Sequence, residues 1–269
     1  MLNVVYLNKN ITNRLQIAKW IEMPRFFVPQ ENIKENRIVI DSEDVAHITR
    51  VLRLNTGDCI TICDGRGYDY KAEISEILKK EIVCKIIEKT DSETESNISV
   101  TLFQGIPKGS KMEYIIQKTT ELGITDIIPV SMSRSVSKID DKKSEDKKLD
   151  RWNKIAQEAA KQSQRGIVPK VHGVLSFDEA VLKMKEADLY FAPYECEEKA
   201  RLREILKSRD DVKTVSFMIG PEGGYDLMEI EKLKNENVPT ITLGKRILRT
   251  ETAPLAVTSM IMYEIGDVN

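Results

Sequence analysis

The amino-acid sequence predicts an α/β protein in two parts: a small β-barrel domain over residues 23–92, then an α/β domain with a parallel sheet over residues 98–269. Three observations carry this. Between residues 24 and 90 the apolar residues fall in short β-branched or alternating runs separated by turn dipeptides. After Asn97 the rhythm becomes strand–helix alternation, with near-continuous apolar strands of the kind that parallel sheets bury on both faces. Residues 90–97, between the two regimes, are polar throughout and read as a linker.

The elements follow in order. Residues 1–22 stand apart. Met23-Pro24-Arg25-Phe26-Phe27-Val28-Pro29 can itself be a chain start, leaving 1–22 as an extension, or residues 15–21 can form a helical appendage; both readings stay open. Strands are expected at 37–40, 59–63, 68–74 and 82–87, with turns at Gly57-Asp58 and Asp64-Gly65 and one helix near 44–52, a spacing that suits a small barrel. In the second part strands are expected at 100–106, 126–130, 168–174, 188–194, 214–220 and 240–244. Helical patterns lie at 110–123, 147–164, 176–186, 199–208, 226–236 and 252–265. The mixed-charge run 138–150 reads as a solvated, mobile loop. Sheets of this kind bind ligands in the loops at the carboxyl ends of their strands.

Composition narrows the function classes. With 41% hydrophobic and 31% charged residues the chain is globular rather than disordered. No apolar run approaches the ~20 residues of a membrane span. Asn3, Asn8, Lys9 and Asn10 interrupt any signal-peptide pattern. Cys59, Cys63, Cys84 and Cys196 form no C-x-x-C pair and, with His47 and His172, are too scattered for a metal site; they read as reduced thiols of a cytoplasmic protein. The net charge of −2 argues against indiscriminate nucleic-acid binding. Yet charge is polarised, with a net +4 over residues 151–172 and −4 over residues 175–200.

Two segments carry the chemistry. Ile219-Gly220-Pro221-Glu222-Gly223-Gly224 follows a buried strand and precedes a helix opened by Asp226 and Glu229 in capping-box spacing. Such a turn lets backbone approach a ligand closely. Neither phosphate-binding glycine spacing is present, and Glu222 would repel a phosphate, so a cationic or hydroxyl-rich ligand fits better. A tight turn with no ligand is the competing reading. The second segment, Leu243-Gly244-Lys245-Arg246-Ile247-Leu248-Arg249-Thr250-Glu251-Thr252-Ala253, gathers charges before a mostly apolar helix, with Thr250 or Thr252 available as N-cap. Charges beside a buried helix are costly unless paired or used. A third feature is the helix with Trp152, Ile155, Ala156, Ala159 and Ala160 on its apolar stripe and Arg151, Lys154, Lys161 and Arg165 opposite, either plain solvated surface or a phosphate-contacting face.

These motifs resemble the RsmE family of 16S ribosomal RNA uridine-N3 methyltransferases, in the SPOUT superfamily. The likeness extends to Met23-Pro24-Arg25-Phe26-Phe27, His47 with Val51-Leu52-Arg53, Gly57-Asp58, Asp64-Gly65, Lys118-x-x-Glu121-Leu122-Gly123 and Glu158-Ala159-x-x-Gln162-Ser163-x-Arg165, so it covers residues 23–265 in order. It implies a PUA-like barrel that helps hold RNA over 23–92. Over 98–269 it implies a trefoil-knotted domain that binds S-adenosylmethionine and pairs with a second subunit as a homodimer. The substrate would be 16S ribosomal RNA within the assembled small subunit. No metal or membrane is expected.

On this likeness the cofactor would lie against Ile219, Gly220, Pro221, Glu222, Gly223, Gly224, Leu243, Gly244, Ile247, Leu248, Thr252 and Ala253. Arg249 would stabilise charge developing on a uracil carbonyl oxygen, with Glu251 orienting it; no residue stands out as a general base. Arg25, Arg53, Lys108, Lys118, Arg151, Lys154, Lys161, Arg165 and Arg246 would contact RNA. Against these stand plainer readings: an Arg249–Glu251 surface pair, core packing of Phe26 or Phe27, and ordinary hydrogen bonds for both histidines. At the level of function the alternatives are a non-catalytic RNA-binding or ribosome-assembly factor and a SPOUT methyltransferase with another RNA target.

Overall fold

The computed structural model describes residues 23–41, 44–135, 142–209 and 211–268, so the expectations for residues 1–22 and 138–141 fall outside the described residues. The chain divides into two units, up to Glu93 and from Thr94. In the first, β1 (Arg25–Phe27), β2 (Ile33–Lys34), β3 (Arg37–Ile40), β4 (Cys59–Cys63), β5 (Tyr68–Ile77) and β6 (Ile82–Asp91) form one sheet in the order β1-β4-β5-β6-β3-β2. All neighbours are antiparallel except β1 and β4. Period-two alternation sends Ile60, Ile62, Tyr70, Ala72 and Ile74 into one core with Ile38, Ile40, Ile82 and Phe26. The hairpin between β4 and β5 is set by Asp64, whose carboxylate accepts the N–H of Arg66 at 2.8 Å and of Tyr68 at 3.1 Å.

Strands β5 and β6 run ten residues each, longer than expected. Their outer halves carry exposed charges that hide the strand pattern, and pairing across the ladder holds them, as between Lys71 and Glu88 at 2.8 Å. The expected helix near 44–52 is a single turn, α1 (Asp44–Ala46), continued as a π-helical turn over His47–Val51 that buries Ile48. Cys63 and Cys84 are buried, and burial pushes their thiols up to about 11 and about 12. Cys196, by contrast, is exposed.

The second unit is a sheet of β7 (Ser99–Gly105), β8 (Asp126–Ser131), β9 (Lys170–Val171), β10 (Leu175–Ser176), β11 (Leu189–Pro193), β12 (Thr214–Ile219) and β13 (Thr240–Ile241). The order is β10-β8-β7-β12-β11-β13, with β9 also on β8, and every pairing is parallel. Helices α2 (Lys111–Glu121), α3 (Lys142–Gln162), α4 (Phe177–Met184), α5 (Leu202–Leu206), α6 (Leu227–Asn235) and α7 (Ala253–Ile265) connect or follow the strands.

Both faces of this sheet are covered. Leu102, Phe217 and Ile219 pack with Ile115 and Ile116 of α2, Trp152 and Ala156 of α3, and Val257 and Ile261 of α7. Phe103 and Met218 point the other way, against Val181 and Met184 of α4 and Leu233 of α6. Full burial of each such side chain contributes about 1.5–3 kcal/mol.

Five expectations change. Helix α3 begins at Lys142, inside the run expected to be loop. Good helix formers fill that turn, and Glu145 anchors it by accepting the N–H of Val174 at 2.8 Å. The strand expected over 168–174 shrinks to β9, and the one over 240–244 to β13.

The expected linker at 90–97 is tied at both ends. The N–H of Ser92 donates to the carbonyl of Gly67 at 2.8 Å, while Glu95 accepts the N–H groups of Gly166 and Ile167 and pairs with Arg165 at 2.6 Å. Helix α7, expected to be buried, is so on one side, but Ser259, Met260 and Tyr263 are exposed.

Candidate active site

The carboxyl ends of β11, β12 and β13, with Lys111 of α2, surround a cavity of about 490 Å³, within the usual size for a small-molecule site. Its walls are the turn after β12 and the loop after β13. Ile219, Gly220, Pro221, Glu222, Gly223, Gly224, Leu243, Gly244, Ile247, Leu248 and Ala253, together with Arg249 and Glu251, all line it; Thr252 does not. Arg246, expected on the RNA face, is also part of this lining.

The turn is fixed by its neighbours. The Thr250 hydroxyl donates to the carbonyl of Gly220 at 2.7 Å and accepts from the Gln104 amide at 3.1 Å, so it is engaged here instead of capping α7. Arg134 donates to the carbonyl of Gly223 at 3.0 Å, and the N–H of Gly224 donates to the carbonyl of Pro221 at 2.9 Å. Gly224 has φ +65°, and a Cβ there would lie 2.7 Å from a carboxylate oxygen of Glu195. Gly105, ending β7, lets Pro221 and Met132 converge: its Cβ would lie 2.6 Å from Pro221 Cδ and 2.7 Å from Met132 Sδ.

Asp226 then opens α6 with the expected capping box, and Glu229 also accepts the N–H of Ser133 at 2.8 Å. Beneath the turn the Tyr225 hydroxyl donates to the carbonyl of Met218 at 2.7 Å, and burial, with Glu195 and Glu229 nearby, pushes its phenol well above the ordinary value.

Charges alternate along one wall. Glu222 accepts the N–H of Lys108 at 3.1 Å and pairs with the Lys111 ammonium, also at 3.1 Å; the same ammonium lies 3.1 Å from Glu251, whose other oxygen is 4.0 Å from Arg249. Burial tends to raise the carboxyls of Glu222 and Glu251, but their own backbone N–H groups and Lys111 outweigh it and hold both below the usual range. Contact with the carboxylate of Glu222, and then with that of Glu251, raises Lys111 above the ordinary lysine value. The cavity thus offers backbone groups, apolar Leu243, Ile247 and Leu248, and the carboxylates of Glu195 and Glu222. That donor set fits a hydroxyl-bearing cation such as S-adenosylmethionine.

Two expected RNA contacts turn out otherwise. Arg165 is 5% exposed, paired with Glu95 and bonded to the carbonyls of Thr120 and Ile124. It spans segments 70 residues apart, which helix periodicity cannot register. Arg25 pairs with Asp69 at 2.6 Å and bonds Ser92, while Phe26 and Phe27 are buried in the core. Lys118 pairs with Glu121 at 2.8 Å. Lys108 is exposed and Arg53 exposed with φ +55°; Lys161 is half-buried. Arg151, paired with Glu113, and Lys154 line a shallow groove between α2 and α3 with Gln117. His172 bonds Asp126 at 2.6 Å. The sequence does not single out Lys111, Gln104, Tyr194 or Glu195: Gln104, Tyr194 and Glu195 lie at strand ends, and Lys111 opens α2.

The comparisons with known proteins agree with this geometry. Residues 94–262 match the RNA methyltransferase domain family and residues 40–87 the RNA methyltransferase PUA domain. A PUA-like β unit followed by a covered parallel sheet with a ligand cavity defines the class: an RNA methyltransferase. Over 249 residues the chain is 41% identical to ribosomal RNA small subunit methyltransferase E of Bacillus subtilis, covering 90% of this chain and 97% of that one. Its counterpart in Synechocystis is 32% identical over 238 residues, covering 88% of this chain and 76% of that one. A structure of ribosomal RNA small subunit methyltransferase E from Neisseria gonorrhoeae bound to S-adenosyl methionine matches with a TM-score of 0.79 at 32% identity, covering 92% of this chain and all of that one. The chain belongs to the ribosomal RNA small subunit methyltransferase E family, the RsmE family its motifs resemble.

Proposed function

We propose that this protein methylates N3 of a specific uridine in 16S ribosomal RNA, using S-adenosylmethionine. The observation that carries the reading is the meeting of the glycine turn and the C-terminal loop in one cavity at the carboxyl ends of the strands, where parallel sheets bind ligands. Bound there, the cofactor supplies an electrophilic methyl group on a sulfonium. The backbone of Ile219 to Gly224 and of Leu243, Gly244, Ile247 and Leu248, with Ala253 behind, holds it. Glu222 accepts hydrogen bonds or offsets positive charge.

Arg249 faces the incoming uracil and stabilises the negative charge on its carbonyl oxygen as the N3 proton passes to solvent water, and Glu251 orients the guanidinium. The target base enters unstacked. Exposed Arg53, Lys108, Arg151 and Lys154 are basic groups offered to phosphates. The reading includes knotted threading of the second unit, in keeping with β12 lying between β7 and β11. It also includes a homodimer, supported by the exposed Met260 and Tyr263 on α7 and Ile247 in the cavity loop, and action in the cytoplasm, where the small subunit is assembled.

Mapping the methylated base in small-subunit RNA from cells lacking the gene tests this directly. One uridine losing its N3 methyl group, restored by purified protein with S-adenosylmethionine, is the expected result. Unchanged modification at every uridine overturns the reading.

A further inference from the structure

Four charged groups on the cavity wall alternate in sign, and the inner cation belongs to neither loop. Glu222 lies in the glycine turn and Glu251 and Arg249 in the C-terminal loop, whereas Lys111 is the first residue of α2. Its two 3.1 Å contacts place the carboxylate oxygens within about 6 Å of each other, a range at which like charges repel unless a cation stands between them. One end of the chain is rigid, because the Glu222 carboxylate also accepts the Lys108 N–H at 3.1 and 3.3 Å. The other end is loose: Arg249 is 82% exposed, and among the described residues its guanidinium makes one ion pair, at 4.0 Å.

We propose that Lys111 is a positioning residue, carrying the fixed geometry of the glycine turn through Glu251 to the guanidinium of Arg249, so that the cofactor wall and the charge-stabilising group move together. This rests on the methyltransferase reading above. Lys111 acts on geometry more than on stability, since half-exposed pairs add little to folding. Its raised pKa keeps it protonated wherever the two carboxylates are ionised.

The test combines kinetics with a measurement that needs no cofactor. Lys111→Met lowers kcat about tenfold, the usual scale for coupled neighbours, with the melting temperature and S-adenosylhomocysteine affinity held, and Lys111→Arg recovers most of the loss. Glu222→Gln lowers kcat by a smaller factor in the Lys111→Met background than in the wild-type background. In the cofactor-free protein, 13C NMR titration of lysine ε-carbons finds Lys111 above the other lysines, falling towards them in Glu222→Gln and again in Glu251→Gln.

Additive effects of Lys111→Met and Glu222→Gln on kcat overturn the proposal, as does a Lys111 that titrates with the bulk. Wild-type protein that transfers no methyl group to ribosomal RNA overturns the function reading itself, and the Lys111 role with it; active wild-type protein with additive variants overturns Lys111 alone.

Discussion

The turn after β12 and the loop after β13 line the same cavity but are held in different ways. In the turn, the carbonyls of Gly220 and Gly223, the carboxylate of Glu222 and the N–H of Gly224 each have a partner, drawn from Thr250, Arg134, Lys108 and Pro221. In the loop, residues 245–248 make no hydrogen bond among the described residues, and Ile247 is 83% exposed. A wall held at four of its polar groups suits a small ligand of constant shape. A wall with few bonds of its own takes its final form against a larger partner. Two arginines repeat the contrast, Arg165 buried and fully paired, Arg249 exposed and loosely paired.

The arginines offer the largest effects. Arg165→Ala removes the cation of a largely buried ion pair and leaves Glu95 with only the N–H groups of Gly166 and Ile167, which costs about 3 kcal/mol. Chemical denaturation should register that loss, while methylation per folded molecule stays near wild type. A fall in RNA affinity without loss of stability would return Arg165 to the RNA face. Arg249→Ala should do the opposite. Its melting temperature holds and S-adenosylmethionine still binds, but kcat drops by about 10² to 10³, as when a charge-stabilising donor is removed. Near-normal turnover would reduce Arg249 to a surface pair.

Thr250→Val sharpens the contrast between turn and loop, because Thr250 is where the loop fastens to the turn. Leaving buried polar groups unmatched costs about 1–3 kcal/mol. Calorimetry should find weaker S-adenosylmethionine binding, and Thr250→Ser should keep most of it. Equal affinity in both variants would mean that Gly220 is held without Thr250. The smallest effect lies on α3: replacing Arg151 and Lys154 by Ala should flatten the salt dependence of RNA binding by about one unit of slope per lost phosphate contact. An unchanged slope returns that face to plain surface.

Much of this was legible in the chain itself, for local reasons. The Gly220–Gly224 turn announced itself because glycine and proline punctuate a strand end, and Asp226 with Glu229 named the start of α6, since capping partners sit three residues apart. The apolar stripe through Trp152, Ala156, Ala159 and Ala160 follows from helical periodicity. Where the local signal was misleading, long-range pairing won. Polar residues 90 and 91 read as linker and are ladder strand, and the charged run from Lys142 reads as loop and is helix.

By itself, then, the sequence determined which elements follow one another, which two segments line the cavity, and the family to which they belong. Periodicity, turn residues and caps act over a few residues and are written in order. The tertiary structure decided which charges meet. Lys111 reaches Glu222 and Glu251, Arg165 reaches Glu95, and Thr250 reaches Gly220 and Gln104, only because strands far apart in the chain lie side by side in the sheet. Contacts of that length depend on strand order, and no local pattern in the sequence encodes it.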